Sequence, residues 1–329
     1  MDLTVQRAQA VYIEMAMRVR DIILTDVYAR VEPIPLLAHY TSVEAMGSIL
    51  RSRQLWFSSI PDMAVVDTSE VVEGAQIVSD ALAGLGPQII RTIPYAQMNA
   101  QQVFEGIRAQ LVSETYAISL CEHGSDERTD RLVMWRAYGH DGHGLCMVLR
   151  KSTLLGQTAA GRFPVHWSPI EYDSPERLEE RVRLRLTQIE GAFQTLPTQL
   201  RSTIAPVLGE FIVSCMLSLV LGHKNEAYSD EREIRFIRTP LIQIAEPPPD
   251  AVYLEVGTAQ KPRRIFALPL RNYPEFGINA DIQALLDHVI IGPSHQQDQM
   301  YTRSRALLDS NGLAHVEIRR STIPYRSTL

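Results

Sequence analysis

Three short stretches hold the side chains with most chemical reach. The first runs from Leu36 to Ser58. Leu36, Leu37 and Ala38 form an apolar lead into His39-Tyr40-Thr41, and Ser42 is a good helix N-cap. Val43, Met46, Ile49 and Leu50 then recur at helical spacing, and Leu55-Trp56-Phe57-Ser58 reads as a short strand. A His, a Tyr and two hydroxyl residues thus leave a strand where a helix begins. Free backbone N–H groups at such a junction converge on an anion or a ribose. A histidine that only caps a buried turn gives the same pattern.

The second stretch is Ser229 to Arg238. Read as a strand, it puts Glu231, Glu233 and Arg235 on one face and Ile234 and Phe236 on the other. Two carboxylates and a guanidinium on one face suit acid–base chemistry, although an exposed edge strand alternates in the same way. Two carboxyls so close should be inequivalent, one held ionised by Arg235 and the other raised in pKa. The third stretch, Leu132 to Tyr138, reads as a short helix ended by Gly139, with Trp135 and Tyr138 one turn apart.

Other elements must position these residues. Within residues 1–35, Val5, Ala8, Tyr12, Met15, Val19 and Ile22 make an amphipathic helix. It fits a helix packed on the domain and equally the seam of a homodimer. Residues 62–113 read as a helical insertion whose acidic start, Asp62, Asp67, Glu70 and Glu73, resembles a solvated face. Residues 151–222 read as a second helical insertion, with Leu178, Val182, Leu186, Ile189, Phe193 and Leu196 in register and a buried helix from Val207 to Leu221. Strands are expected at Glu114–Cys121, Leu145–Leu149, Arg264–Leu270, His288–Ile291 and His315–Arg319, and Ser294 with Gln297 suggests a capping box. No regular βαβ alternation, GxGxxG or Walker loop is present. The expected fold is therefore a single α+β domain over 1–329. It has a mixed, mainly antiparallel central sheet of about eight strands, two helical insertions and an N-terminal helix.

Composition narrows the function classes. A net charge of −6 supplies no global attraction for nucleic acid or an anionic membrane. Cys121, Cys146 and Cys215 form no CxxC pair and suit a reducing cytoplasm. The most apolar run, Phe211 to Leu221, is short for a membrane span, so a cytoplasmic protein without membrane contact is expected. His140 and His143, with Asp141, lack an adjacent third ligand, and no metal site is expected.

Taken together, four stretches resemble the bacterial DUF2971 family, whose function is undefined. They are His39-Tyr40-Thr41-Ser42 through Ser58; Ile118-Ser119-Leu120 with Leu132 to Tyr138 and Gly144; His223-Lys224 through Arg235; and Ile290-Ile-Gly-Pro293 with a terminal Ser321 to Arg326. The segment Pro61-Asp62-Met63 departs from the Asn-Asp-Pro type usual in the family. More loosely, the pattern is similar to the ADP-ribosyltransferase superfamily. That similarity implies NAD as substrate and a macromolecular acceptor, protein or nucleic acid. It implies catalytic roles for Glu233, Glu231 and His39, and nucleotide contacts from His39, Tyr40, Thr41, Ser58, Trp135, Tyr138 and Arg235. An NAD-consuming transferase or glycohydrolase, acting as a toxin or phage-defence effector, is the expectation. A non-catalytic nucleotide- or protein-binding module on the same scaffold is the alternative.

Overall fold

The computed structural model describes residues 9–19, 21–23, 33–62, 65–84, 96–124, 130–155, 165–241, 247–258 and 261–324. The strands are β1 (Leu36–Thr41), β2 (Gln54–Ser59), β3 (Tyr116–His123), β4 (Leu145–Arg150), β5 (His166–Pro169), β6 (Glu171–Tyr172) and β7 (His223–Lys224). They continue with β8 (Glu233–Arg238), β9 (Val252–Thr258), β10 (Lys261–Pro269), β11 (Asn272–Tyr273), β12 (Ile278–Asn279), β13 (Leu286–Ile291) and β14 (Glu317–Arg320). The expected α+β architecture holds. Eight strands follow the order β14-β13-β4-β1-β3-β2-β10-β9, and β8 and β5 branch from β3. Pairing in this sheet is antiparallel except between β13 and β14.

The branch makes a fork. One edge of β3 pairs with β8 from Tyr116 to Cys121. On the other edge, β1 pairs with β3 only at Leu36, Leu37 and Ala38, and β2 pairs with it only at Ser58 and Ser59. Beyond Ala38, β1 follows β4, while β2 follows β10. The middle of β3 is left facing a gap, bridged by the helix Val43–Ser52 that joins β1 to β2.

That helix forms for the expected reasons. Ser42 Oγ accepts a hydrogen bond from Ala45 N at 3.0 Å, and Val43, Met46, Ile49 and Leu50 are buried. Each such side chain contributes about 1.5–3 kcal/mol of apolar burial. With Leu37, Leu120, Ile234, Phe236, Met300 and Leu308 they form the core on one sheet face. Helix Gln297–Ser310 covers the same face. Its N-terminus lacks the expected capping box: Ser294 Oγ accepts from Gln296 N, and the Gln297 amide is turned to the carbonyls of Gly292 and Ser321. On the opposite face, Ala38, Tyr40, Cys121, Cys146 and Val148 pack under Met134 and Trp135 of helix Leu132–Ala137.

The two insertions share one apolar core. Helix Val65–Gly84 packs on helices Ala96–Ser113, Pro175–Gln194 and Leu208–Leu221. Val11, Met15 and Val19 of the N-terminal helix close it; Val5 and Ala8 lie outside the described residues. Tyr12 is half exposed and leans on Phe211. The second insertion is not wholly helical, because β5 joins β8 and β6 pairs with β7. Strand β9, in a stretch with no expected element, is the outermost strand beside β10. Among the described residues no single helix is long and apolar enough to cross a membrane.

Candidate functional site

The fork holds a cavity of about 650 Å3, within the range of small-ligand sites. Ala117 to Ser119 and Cys121 of β3 form its floor. His39 to Ser42, with Ala45 and Ser48, form one wall, and Trp56, Ser58 and Asp62 another. Tyr138, Glu231 and Glu233 close the inner end, and Arg263 of β10 stands at the rim.

The sheet geometry explains how residues from both faces reach one cavity. Ala38, Cys121 and Glu233 stand in one row across β1, β3 and β8. Strand spacing puts the ends of that row about 10 Å apart. Glu233 therefore shares its face with Ala38 and Tyr40, and His39 has the opposite parity. At His39, β1 has already left β3, so the imidazole lines the gap. Its Nδ1 is buried without a hydrogen-bond partner, and burial lowers its pKa.

A buried charge cluster lies at the inner end. Glu233 accepts from Ser119 Oγ, from Arg235 Nε at 2.8 Å and Nη2 at 3.2 Å, and from Lys224 Nζ at 3.3 Å. Lys224 Nζ also donates to Glu231 at 2.8 Å, and Arg235 Nη2 to Glu70 at 3.3 Å. The Tyr138 hydroxyl lies 3.3 Å from Glu231 Oε1. Burial alone would raise the Glu233 carboxyl, but the Arg235 and Lys224 charges reverse this and hold it at about 2. Burial pushes Glu231 the other way; Lys224 opposes that rise and the Glu233 charge adds to it. The pair is inequivalent, as like charges in one site require.

The sequence-predicted residues are placed as follows. His39, Tyr40, Thr41, Ser58, Tyr138, Glu231 and Glu233 all line the cavity. Glu231 arrives differently from expectation. It ends the 3-10 helix Glu226–Glu231, and Arg232 at φ 43° turns the chain before β8 begins at Glu233. The two carboxylates therefore do not share a strand face; they meet on Lys224. The exposed-edge alternative for β8 fails, since Glu233 and Arg235 are 4% and 2% exposed. Arg235 lies behind Glu233 rather than on the cavity surface. Trp135 is fully buried: it packs edge-on against Tyr40 with centroids 4.8 Å apart and donates Nε1 to Asp130 at 3.0 Å. It shapes Tyr40 instead of facing a ligand. The Tyr40 hydroxyl accepts from Arg131 N at 3.1 Å, which leaves Tyr138 as the tyrosine hydroxyl turned to the carboxylates.

Sequence reasoning missed Lys224, Glu70 and Ser119 as parts of this cluster. Glu70 was placed on a solvated face, but is 4% exposed. Its signal is the buried stripe Glu70, Gly74, Val78 and Ala81, spaced by four, four and three residues. Lys224 follows directly on the buried helix Leu208–Leu221 and has no acidic residue one helical turn before it. His140 and Asp141 both have positive φ in a tight turn. Among the described residues no group of three His, Cys, Asp or Glu side chains is arranged to hold a metal ion.

Fold and site together define an α+β protein with a ligand-sized cavity in a forked sheet, lined by Glu44, Asp62, Glu231, Glu233 and Arg263, with the last two carboxylates held on a buried lysine at its inner end. Residues 134–236 match the family model described as "Protein of unknown function (DUF2971)", in keeping with the resemblance seen in the sequence. The matched segment contains Trp135, Tyr138, Lys224, Glu231, Glu233 and Arg235; the stretches around His39 and Ile290 lie outside it. No curated protein and no solved structure matches the chain.

Proposed function

We propose that the cavity binds NAD or a related dinucleotide and breaks its nicotinamide–ribose bond, passing the ADP-ribosyl group to water or a macromolecular acceptor. One observation carries this reading: His39, Glu231 and Glu233, from separate parts of the chain, line a single cavity, with the carboxyls shifted in opposite directions. As the N–C1′ bond breaks, nicotinamide leaves with the bonding electron pair and the ribose takes oxocarbenium character. Glu233, ionised across the working pH range, faces that developing charge. Glu231, with its raised pKa, accepts the proton that the attacking water or acceptor gives up on bonding to C1′. His39, which lines the cavity, holds a ribose hydroxyl through its imidazole. Arg263 at the rim favours the pyrophosphate. In a cell, such an activity suits a toxin or a phage-defence effector.

A second reading, a non-catalytic nucleotide- or protein-binding module, is favoured by the saturation of Glu233, whose oxygens already meet Ser119, Arg235 and Lys224. Incubation with NAD separates the two. An enzyme releases free nicotinamide, whereas a module binds NAD and returns it intact. A protein that shows no nicotinamide release and no NAD binding would refute the dinucleotide assignment.

A further inference from the structure

We propose that Lys224 is a positioning residue: its ammonium, backed by Glu70, fixes where Glu231 and Glu233 stand in the cavity and how they share charge. This deepens the reading above and rests on it for its functional consequence. Lys224 is 1% exposed. Its nitrogen lies 2.8 Å from Glu231, 3.3 Å from Glu233 and 3.8 Å from Glu70. Its backbone is fixed as firmly. In β7 it pairs with Tyr172 of β6, and its carbonyl accepts from Asp173 N at 3.1 Å. The Tyr172 hydroxyl accepts in turn from Glu233 N at 2.7 Å. One tyrosine thus registers both the strand that carries the lysine and the strand that carries the carboxylate.

A compact ammonium with three donors suits three carboxylates approaching from different elements, where a planar guanidinium would favour one partner. Glu70, Glu231 and Glu233 carry three negative charges against Lys224 and Arg235. These five groups therefore hold one negative charge in excess, or one proton. Arg235 grips Glu233 through two nitrogens, so of the two carboxyls that line the cavity Glu231, next to the Tyr138 hydroxyl, is the one left to take up the excess. The other groups facing the cluster are the Tyr228 ring, 4.9 Å from the ammonium, the Cys121 thiol, raised by burial, His223, lowered by burial, and Arg131, whose Nη1 donates to the Glu231 carbonyl at 3.0 Å. Of these only Arg131 brings a further positive charge at neutral pH, and it engages the main chain of Glu231 rather than its carboxyl.

The test uses the full chain, with glutamate carboxyls followed by 13C NMR titration and NAD binding followed by calorimetry against pH. Lys224→Met should raise the Glu231 midpoint by at least one pH unit, a tenfold change in proton affinity, and carry the pH dependence of NAD binding with it. Lys224→Arg, which restores charge without the compact shape, should return the midpoint towards wild type. If Lys224→Met does not fold, Glu70→Gln removes one negative charge from outside the cavity and should lower the Glu231 midpoint by about half a unit or more. A folded Lys224→Met or Glu70→Gln protein with the wild-type Glu231 titration would overturn the inference. If the titrations move as described but the wild type neither binds nor cleaves NAD, the lysine's role stands and the dinucleotide reading fails.

Discussion

Replacing Glu233 by Gln keeps the side-chain shape and removes the charge that neutralises two buried cations. The variant should lose stability, because Glu233 accepts from Ser119, Arg235 and Lys224 at 4% exposure. The amide also turns an N–H towards a donor. Breaking a buried ion pair from one side costs about 3–5 kcal/mol. Here Arg235 keeps Glu70 at 3.3 Å and Lys224 keeps Glu231 at 2.8 Å. The expected loss is therefore lower, about 2–4 kcal/mol, or roughly 3–6 °C in thermal midpoint for a chain of this size. Differential scanning calorimetry of both proteins at pH 7.5 would show it. A midpoint within 1 °C of wild type would refute the reasoning that Glu233 holds the buried cations. If the protein is a transferase, turnover at a temperature where the variant is folded should fall by about 10²–10⁴-fold, the range for a positioned acid–base group.

Two further outcomes follow from the same structure. Burial lowers the pKa of His39, His123, His223 and His288, with His123 brought to about 4; the unfolded chain binds these protons first, so stability should fall as pH drops from about 6.5 towards 4. His123 alone accounts for about 3 kcal/mol of this, partly offset by the raised Glu231, and a thermal midpoint unchanged between pH 7.5 and 5 would contradict it. Met15→Ala should cost about 2–5 kcal/mol by opening a cavity where the N-terminal helix meets the helical core, and leave NAD affinity within twofold at a temperature where it is folded. Lost binding without lost stability would put the helix at the site.

The strand–helix–strand stretch around His39 was legible because three local signals agree there: an apolar lead, a Ser cap and 3–4 periodicity. The site was legible as residue types but less so as geometry. Alternation placed Glu231 on a strand face with Glu233, because nothing marks Arg232 as a residue of positive φ. Glu231 still reaches the site, held through Lys224. Trp135 entered as a nucleotide contact only through the resemblance, and whether its helix face meets a ligand or a neighbouring sheet is a tertiary fact. Glu70 escaped because its partner Arg235 lies far away in sequence. Lys224 escaped although Glu231 and Glu233 follow seven and nine residues on, because neither lies within one helical turn of it and a lone charge beside a buried run reads locally as a solvated end. The short strands β5, β6 and β7 carry too few residues to show a period of two.

The central claim is that the forked-sheet cavity cleaves NAD, and nicotinamide release tests it most directly. Purified protein incubated with NAD should yield free nicotinamide in a time-dependent way. Glu231→Gln and Glu233→Gln should each slow that release by at least a hundredfold while remaining folded at the assay temperature. Release that is absent from the wild type, or that persists undiminished in both variants, would contradict the claim.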